Sequence, residues 1–272
     1  MTQRYAVVGD PVAHSLSPLI HNAWIKAAGV DAHYDRIHLQ SQDATGDIRA
    51  LAKDHAGLNI TLPHKIAALA AAANASPEAL AIGAANTLAR DATGNWFAHN
   101  TDVAGFEIAL KAAAGIKAGD LSVVMIGAGG AARAAIYCLA ASGAQIAIVN
   151  RTEANAKALA RDLAPRARTG GLAQLAAFAD EADIVVNSAS LGHAGEALPA
   201  LPAGRGRPFL DLSYGKAAAG TLYAAAAAGW TPHDGLPMLV GQAAAAFRIW
   251  FGITPDEASA LKACREAVAA RA

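Results

Sequence analysis

Residues 121 to 132 read Leu121-Ser122-Val123-Val124-Met125-Ile126-Gly127-Ala128-Gly129-Gly130-Ala131-Ala132. A strand-like run enters a glycine turn, and the turn opens an alanine-rich helix. The order fits the G-x-G-x-x-A form of the dinucleotide-binding fingerprint. Gly127 permits the tight turn, Gly129 lets the backbone approach a pyrophosphate, and small Ala132 lets the helix pack on the strand. The N–H groups at the helix start then face an anion. A glycine-rich hexapeptide alone is a weak signal; its setting between strands gives it weight. A second strand follows at Gln145-Ile146-Ala147-Ile148-Val149, and others at Asp183-Ile184-Val185-Val186 and Phe209-Leu210-Asp211-Leu212. Strands alternating with helices predict a doubly wound Rossmann unit over residues 102–235.

The end of the second strand selects the cofactor. NAD-binding versions place an acid there to hold the ribose hydroxyls. Here the position, 23 residues after Gly127, is Asn150, followed by Arg151 and Thr152. No carboxylate repels a 2′-phosphate, and Arg151 is suited to pair with one and to stack on the adenine. NADP is expected over NAD. The bland alternative is a solvated surface arginine.

Upstream, strands are expected near 5–9, 33–38, 57–61, 85–89 and 96–100. Asp91-Ala92-Thr93-Gly94 supplies a turn that makes the last two an antiparallel hairpin. Downstream of about residue 236 the chain reads as helix. In Thr254-Pro255-Asp256-Glu257, Thr254 is the expected cap, Pro255 suits the first turn and Glu257 completes a capping box. The prediction is an α/β protein of two domains. Residues 1–101 plus 236–272 form an N-terminal α/β domain to which the C-terminal helices return.

Composition narrows the classes. Of 272 residues, 54% are apolar, enough for a sizeable core, and 22 basic residues balance 22 acidic ones. A neutral chain lacks the positive field that nucleic acid or an anionic membrane requires. The longest apolar stretches are alanine-rich and broken by Pro77, Glu78 or Arg133, so no membrane span is expected, and the N-terminus does not read as a signal peptide. Cys138 and Cys264 read as reduced core thiols, and the nine histidines show no metal-ligand spacing. A cytoplasmic protein without a structural metal fits, a monomer or a homodimer.

Polar motifs stand at the strand ends of the first domain. In His14-Ser15-Leu16-Ser17-Pro18, Pro18 suits the first helical position and makes Ser17 the expected N-cap. The helix start and the hydroxyls of Ser15 and Ser17 are suited to a carboxylate. The bland reading is a cap and a turn. In Asn59-Ile60-Thr61-Leu62-Pro63-His64-Lys65, a strand ends and Lys65 enters the first turn of a helix, where a cation opposes the helix dipole. That placement points to a role other than helix support. Asn86-Thr87 is expected in a strand, and Asn100-Thr101-Asp102 ends a strand and caps a helix. Each alone is more often a cap or turn; together they offer hydroxyl, amide, ammonium and carboxylate groups at successive strand ends.

In this order and spacing the motifs resemble the shikimate dehydrogenase family. Gly127-Ala128-Gly129-Gly130-Ala131, Asn150-Arg151-Thr152, Asp211-Leu212-Ser213-Tyr214 and Asp234-Gly235-Leu236-Pro237-Met238-Leu239-Val240-Gly241-Gln242 extend the resemblance over nearly the whole chain. The resemblance implies reversible, NADPH-dependent reduction of 3-dehydroshikimate to shikimate, on the way to chorismate and the aromatic amino acids. It places the catalytic pair on Lys65 and Asp102. Ser15, Ser17, Thr61, Lys65, Asn86, Asp102, Tyr214 and Gln242 become substrate contacts. The cofactor set is Gly127, Ala128, Gly129, Gly130, Ala131, Asn150, Arg151 and Thr152, with Leu212, Gly235 and Met238 near the nicotinamide.

Three places depart from the family pattern. Asn187-Ser188-Ala189-Ser190-Leu191-Gly192 stands where Asn-Ala-Thr is common, and Asn155 where some members carry a second arginine, with Lys157 a substitute. Lys216, after Tyr214 and Gly215, resembles one branch of the family. Quinate or amino-shikimate dehydrogenases of the same family remain alternatives. A non-catalytic NADP-binding regulator is the competing class, but it would be expected to lose Lys65 or Asp102, and both are present. Turnover compared with NADP and NAD is expected to favour NADP; a strong NAD preference would defeat the reading of Arg151.

Overall fold

The computed structural model describes residues 2–115, 118–189 and 199–271. The chain forms two compact units, Met1–Gly105 with Leu239–Cys264, and Phe106–Met238 with Arg265–Ala272.

The first unit runs β1 (Gln3–Gly9), α1 (Ser17–Ala28), β2 (Ala32–His38), α2 (Ala44–Ala50), β3 (Gly57–Ile60), α3 (Lys65–Ala71), β4 (Asn74–Ala75), α4 (Pro77–Ile82), β5 (Thr87–Arg90) and β6 (Trp96–His99). α5 (Asp102–Ala114) leads into the second unit. There follow β7 (Ser122–Ile126), α6 (Gly130–Ser142), β8 (Gln145–Val149), α7 (Glu153–Leu163), β9 (Arg168–Gly170), α8 (Leu175–Glu181), β10 (Ile184–Asn187), β11 (Pro208–Asp211), α9 (Lys216–Ala227) and β12 (Thr231–His233). α10 (Leu236–Phe251) returns the chain to the first unit, and α11 (Glu257–Ala269) ends it.

The second sheet has the order β12-β11-β10-β7-β8-β9, with every pairing parallel. Counted from β7, this is the doubly wound order 3-2-1-4-5-6 read from the far edge, with its switch point between β7 and β10. Its central strands are buried past the first residues of β7 and β8, as helices on both faces require. Val124, Ile126, Val149, Val185 and Phe209 pack there with Leu175 and Trp230.

The first sheet has the order β2-β1-β3-β5-β6-β4. β1 pairs parallel with β2 and β3, whereas β5 runs antiparallel to both β3 and β6, which makes the expected hairpin. Three strands escaped the sequence reading: Asn74–Ala75, Arg168–Gly170 and Thr231–His233. At two or three residues they are too short to show alternation. Asn86 stands just ahead of β5 rather than within it. The last helix begins at Glu257 with Asp256, not Thr254, as its cap, because the Ser259 N–H donates to Asp256 Oδ1 at 3.1 Å. Glu257 instead meets Arg248 Nη1 at 3.3 Å. The chain end past Cys264 groups with the second unit, where Val268 lies beside Gly215.

The first unit also holds an aromatic layer. His21 of α1 stacks on Tyr34 at 4.3 Å and 11°, and Trp24, Phe247 and Trp250 surround it. Trp250 Nε1 donates to the Leu88 carbonyl at 3.1 Å, which fixes the C-terminal half of α10 on this sheet. Neither ring nitrogen of His21 meets hydrogen-bond geometry with any partner. Burial holds its pKa down to about 3, with nearby Asn59 offsetting only part of that. No described helix is long and apolar enough to cross a membrane.

The unfolded ring titrates near 6.5. Between that value and about 3 the unfolded state binds a proton that the native state refuses, so this residue's stabilisation is full above neutrality and falls as pH drops. Going from about pH 7 to about pH 4.5 is expected to cost on the order of 2–3 kcal/mol from His21. Urea unfolding of the native protein and His21→Phe at both pH values checks this. The variant should lose that part of the pH dependence, and an unchanged slope would clear His21 as its source.

Candidate active site

The reversal of β5 gathers the polar motifs of the first unit. β1, β3 and β6 end at the same edge of the sheet, and antiparallel β5 begins there. Ser15 and Ser17 follow β1, Thr61 and Lys65 follow β3, Asn86 precedes β5, and Asp102 follows β6. One edge therefore receives residues that lie far apart in sequence.

Lys65 Nζ donates to Asp102 Oδ2 at 2.6 Å. Lys65 is the first residue of α3, so its charge opposes that helix dipole; Asp102 is the first residue of α5, where a carboxylate is favoured. The start of α5 is tied down by Asn100, whose Oδ1 accepts the Asp102 N–H and whose Nδ2 donates to the Ala84 carbonyl. Asp102 Oδ1 accepts from Asn86 Nδ2 at 2.9 Å, and the same nitrogen donates to Gln242 Oε1 at 2.9 Å. Asn86 Oδ1 accepts the Thr101 backbone N–H at 2.7 Å. That N–H can only donate, so the amide has one permitted orientation, with both its protons spent on Asp102 and Gln242.

The serines form the other end of the site. The Ser15 hydroxyl donates to Ser17 Oγ at 3.1 Å and accepts the Ser17 backbone N–H at 3.2 Å. Arg36 clamps the Ser15 carbonyl with Nη2 at 2.6 Å and Nε at 3.1 Å. The sequence expectation that Ser17 is an N-cap is corrected. α1 begins at Ser17 and its cap is Leu16, which has no side-chain capping bond; the Ser15 hydroxyl takes the Ser17 N–H instead. The Ser17 hydroxyl is therefore not committed to the helix. It lies within hydrogen-bonding reach of the Tyr34 hydroxyl, which donates to Asn59 Oδ1 at 2.7 Å. Thr61 is half-buried, its backbone N–H held by the Val8 carbonyl at 2.9 Å. Sequence reasoning did not give Arg36, Tyr34 or Thr101 a role. Thr101 lies inside a quoted motif; nothing local marks Arg36 or Tyr34.

The candidate cofactor residues lie in the second unit. Gly127 has φ +106°, and a Cβ there would stand 2.6 Å from Ser188 Oγ, so glycine is required twice over. Ser188 Oγ donates to the Ile126 carbonyl at 2.7 Å, so this departure from the family pattern braces the turn; Ser190, Leu191 and Gly192 lie outside the described residues. Gly129 is exposed with open space beside it, Ala128, Gly130 and Ala131 are partly buried, and Ala132 is fully buried. α6 has no side-chain cap and no acid in its first turn. Its N–H groups thus fit a pyrophosphate. Asn150 Nδ2 donates to the Thr152 carbonyl at 2.9 Å, which folds the segment around exposed Arg151. Lys157 is paired with Glu153 at 2.8 Å, so it is less available as a substitute arginine.

Leu212, Gly235 and Met238 are also in this unit. A Cβ on Gly235 would fall 2.1 Å from the Leu212 carbonyl oxygen, and the Gly235 N–H donates to Ser213 O at 2.8 Å. Met238 is buried and Tyr214 half-buried. Beneath them buried Asp211 accepts from Asn187 Nδ2 at 2.8 Å, the Ser213 N–H at 2.8 Å and the Thr221 hydroxyl. Burial pushes the Asp211 carboxyl above its ordinary range, and these donors pull against that.

Family models match along the chain: a shikimate dehydrogenase substrate binding domain over residues 7–88, a shikimate / quinate 5-dehydrogenase over 107–194, and a shikimate 5′-dehydrogenase C-terminal domain over 235–265. The shikimate dehydrogenase (NADP(+)) of Hyphomonas neptunium is 45% identical over 271 residues, 99% of each chain. This chain belongs to the shikimate dehydrogenase family. Shikimate 5-dehydrogenase from Thermus thermophilus, solved in complex with shikimate, matches with TM-score 0.84 and 37% identity over 98% of this chain and 99% of that one. Its complex with NADP(H) and shikimate matches at 0.80 and 36%, over 97% and 99%. Two features of this family member frame its serine pair: Ser17 is buried, and its hydroxyl is not used as a cap. Ser17→Ala is expected to weaken substrate binding about tenfold while costing less than the ~1 kcal/mol of a lost helix cap. Michaelis constants and thermal melts separate the two, and lower stability with unchanged affinity would make Ser17 a structural residue.

Proposed function

We propose that Lys65 and Asp102 carry the proton chemistry of this NADP-dependent shikimate dehydrogenase. The enzyme reduces 3-dehydroshikimate to shikimate reversibly, a step of chorismate and aromatic amino acid biosynthesis. One observation carries the reading of the pair: an ammonium and a buried carboxylate meet at 2.6 Å at the sheet edge where the polar motifs converge. Reduction of a ring ketone leaves an alkoxide that must be protonated. The Lys65 ammonium supplies the proton and stabilises the developing charge. Asp102 orients the ammonium and balances it, and accepts from a substrate hydroxyl. In the reverse direction the neutral amine takes the hydroxyl proton. The two groups share a short hydrogen bond, so the transfer belongs to the pair.

Ser15 and Ser17 are assigned to the substrate carboxylate, supported by the Ser17 hydroxyl, which the helix start does not use, and by the Ser15 hydroxyl bonded to it. Thr61, Tyr214 and Gln242 are assigned to the carboxylate and ring hydroxyls, and Asn86 joins them by exchanging its bond to Gln242 for one to the substrate. NADPH, when bound, supplies the hydride. Gly127 to Ala131 would hold its pyrophosphate, Asn150 to Thr152 its 2′-phosphate, and Leu212, Gly235 and Met238 its nicotinamide end. We assign residues 1–101 plus 236–272 to the substrate domain and 102–235 to the NADP domain, although the compact units put their boundaries at Gly105 and Met238 and group the chain past Cys264 with the second unit. We also assign a cytoplasmic location, in keeping with two buried cysteines that are not paired in a disulfide.

The test is a spectrophotometric assay with shikimate and NADP, with quinate and NAD as controls. Lys65→Ala should bind substrate nearly normally and lose turnover by a factor on the order of 100 or more. Unchanged turnover removes Lys65 from the mechanism, and faster turnover of quinate moves the enzyme to the quinate branch.

A further inference from the structure

We propose that Thr87 is a positioning residue: its hydroxyl links Tyr34 and Asn59 to Asn86, and so braces the amide, oriented by the Thr101 N–H, that holds Asp102 against Lys65. The proposal rests on the reading of Lys65 and Asp102 as the acid–base pair.

Thr87 opens β5 and is fully buried, opposite Asn59 of β3 in register. Its Oγ1 accepts from Asn59 Nδ2 at 3.0 Å. Asn59 is oriented by the Asn86 carbonyl, which can only accept and takes its Nδ2 at 3.4 Å; its Oδ1 therefore faces the Tyr34 hydroxyl, which donates to it at 2.7 Å. With an N–H already arriving, Thr87 has a single proton to give. It goes to Asn86 Oδ1 at 3.2 Å, or to Thr101 Oγ1 at 3.0 Å, which in turn donates to Asn86 Oδ1 at 3.1 Å. Either arrangement delivers a hydroxyl proton to the same amide oxygen. A flipped Asn86 would set its NH2 against that proton and the Thr101 N–H, and would turn its oxygen toward the Asp102 carboxylate.

Donors therefore point one way along a continuous path, from Tyr34 through Asn59, Thr87 and Asn86 to Asp102 Oδ1. Such a chain is polarised in a single sense, and each bond strengthens the next. Its far end is rigid, because Tyr34 is buried and stacked on His21. The Thr87 hydroxyl bonds Asn59, Asn86 and Thr101 rather than Lys65 or Asp102, so it acts through Asn86. Valine matches its shape and suits a strand, but lacks the hydroxyl.

Single-turnover rates of cofactor reduction with shikimate isolate the chemical step. Thr87→Val is expected to slow that step about tenfold, the worth of one lost buried hydrogen bond, with KM for shikimate held within about twofold. Thr87→Ser keeps the hydroxyl and should restore most of the rate, even where losing the methyl lowers the melting temperature. If both variants lose stability alike and neither loses rate, Thr87 is packing and the proposal is overturned. Should Thr87→Val not fold, Tyr34→Phe decides at saturating shikimate, because the same hydroxyl also reaches Ser17 and can move KM: a severalfold slower step supports the path, and an unchanged rate overturns it. Lys65→Ala run alongside separates the two readings. Intact turnover there defeats the assignment of the pair, whereas lost turnover with a silent Thr87→Val defeats this inference alone.

Discussion

Asp102 is 1% exposed and Lys65 14%, and charges so far from water persist only when each has a partner and the remaining polar atoms are satisfied. Much of the first unit's sheet edge meets that requirement. Asp102 takes Lys65 on one oxygen and Asn86 on the other, and its own N–H is held by Asn100. A buried ion pair of this kind adds little net stability, because desolvation offsets most of the attraction. Its value is positional. The pair is held at one geometry by groups that would themselves be left unsatisfied if it moved.

The rest of the unit serves that geometry. Antiparallel β5 brings Asn86 to the edge where β1, β3 and β6 end. On one flank the polar path runs back through Asn59 to Tyr34, whose ring belongs to the aromatic layer around His21. One residue thus joins the apolar packing to the polar edge. α10 contributes twice, with Trp250 anchored on the Leu88 carbonyl and Gln242 bonded to Asn86.

The second unit solves a different problem, approach of backbone to a large anion. Open space beside Gly129 and an uncapped α6 leave N–H groups at the switch point of a parallel sheet. Ser188 closes the turn from behind, and Asp211 with Asn187 and Thr221 stiffens the segment bearing Leu212 and Tyr214. The substitution of serine at a position where the family often has alanine is thereby explained as bracing.

The Rossmann unit was legible in the sequence because its signals are local: strand, glycine turn and helix within a dozen residues, then an arginine at the next strand end. The Lys65 and Asp102 motifs were legible for the same reason, as polar clusters at strand ends. Strands of two or three residues were not, since they carry no periodicity, and neither was the capping of α1, where Ser17 reads as a cap and is not one. What only the tertiary structure decided was who meets whom. The orientation of Asn86 depends on Thr101 ahead of α5 and on Gln242 of α10, with Thr87 of β5 beside it. Hydrogen bonds span about three ångströms, and only strand pairing and the packing of α10 bring residues so distant in the chain within that reach.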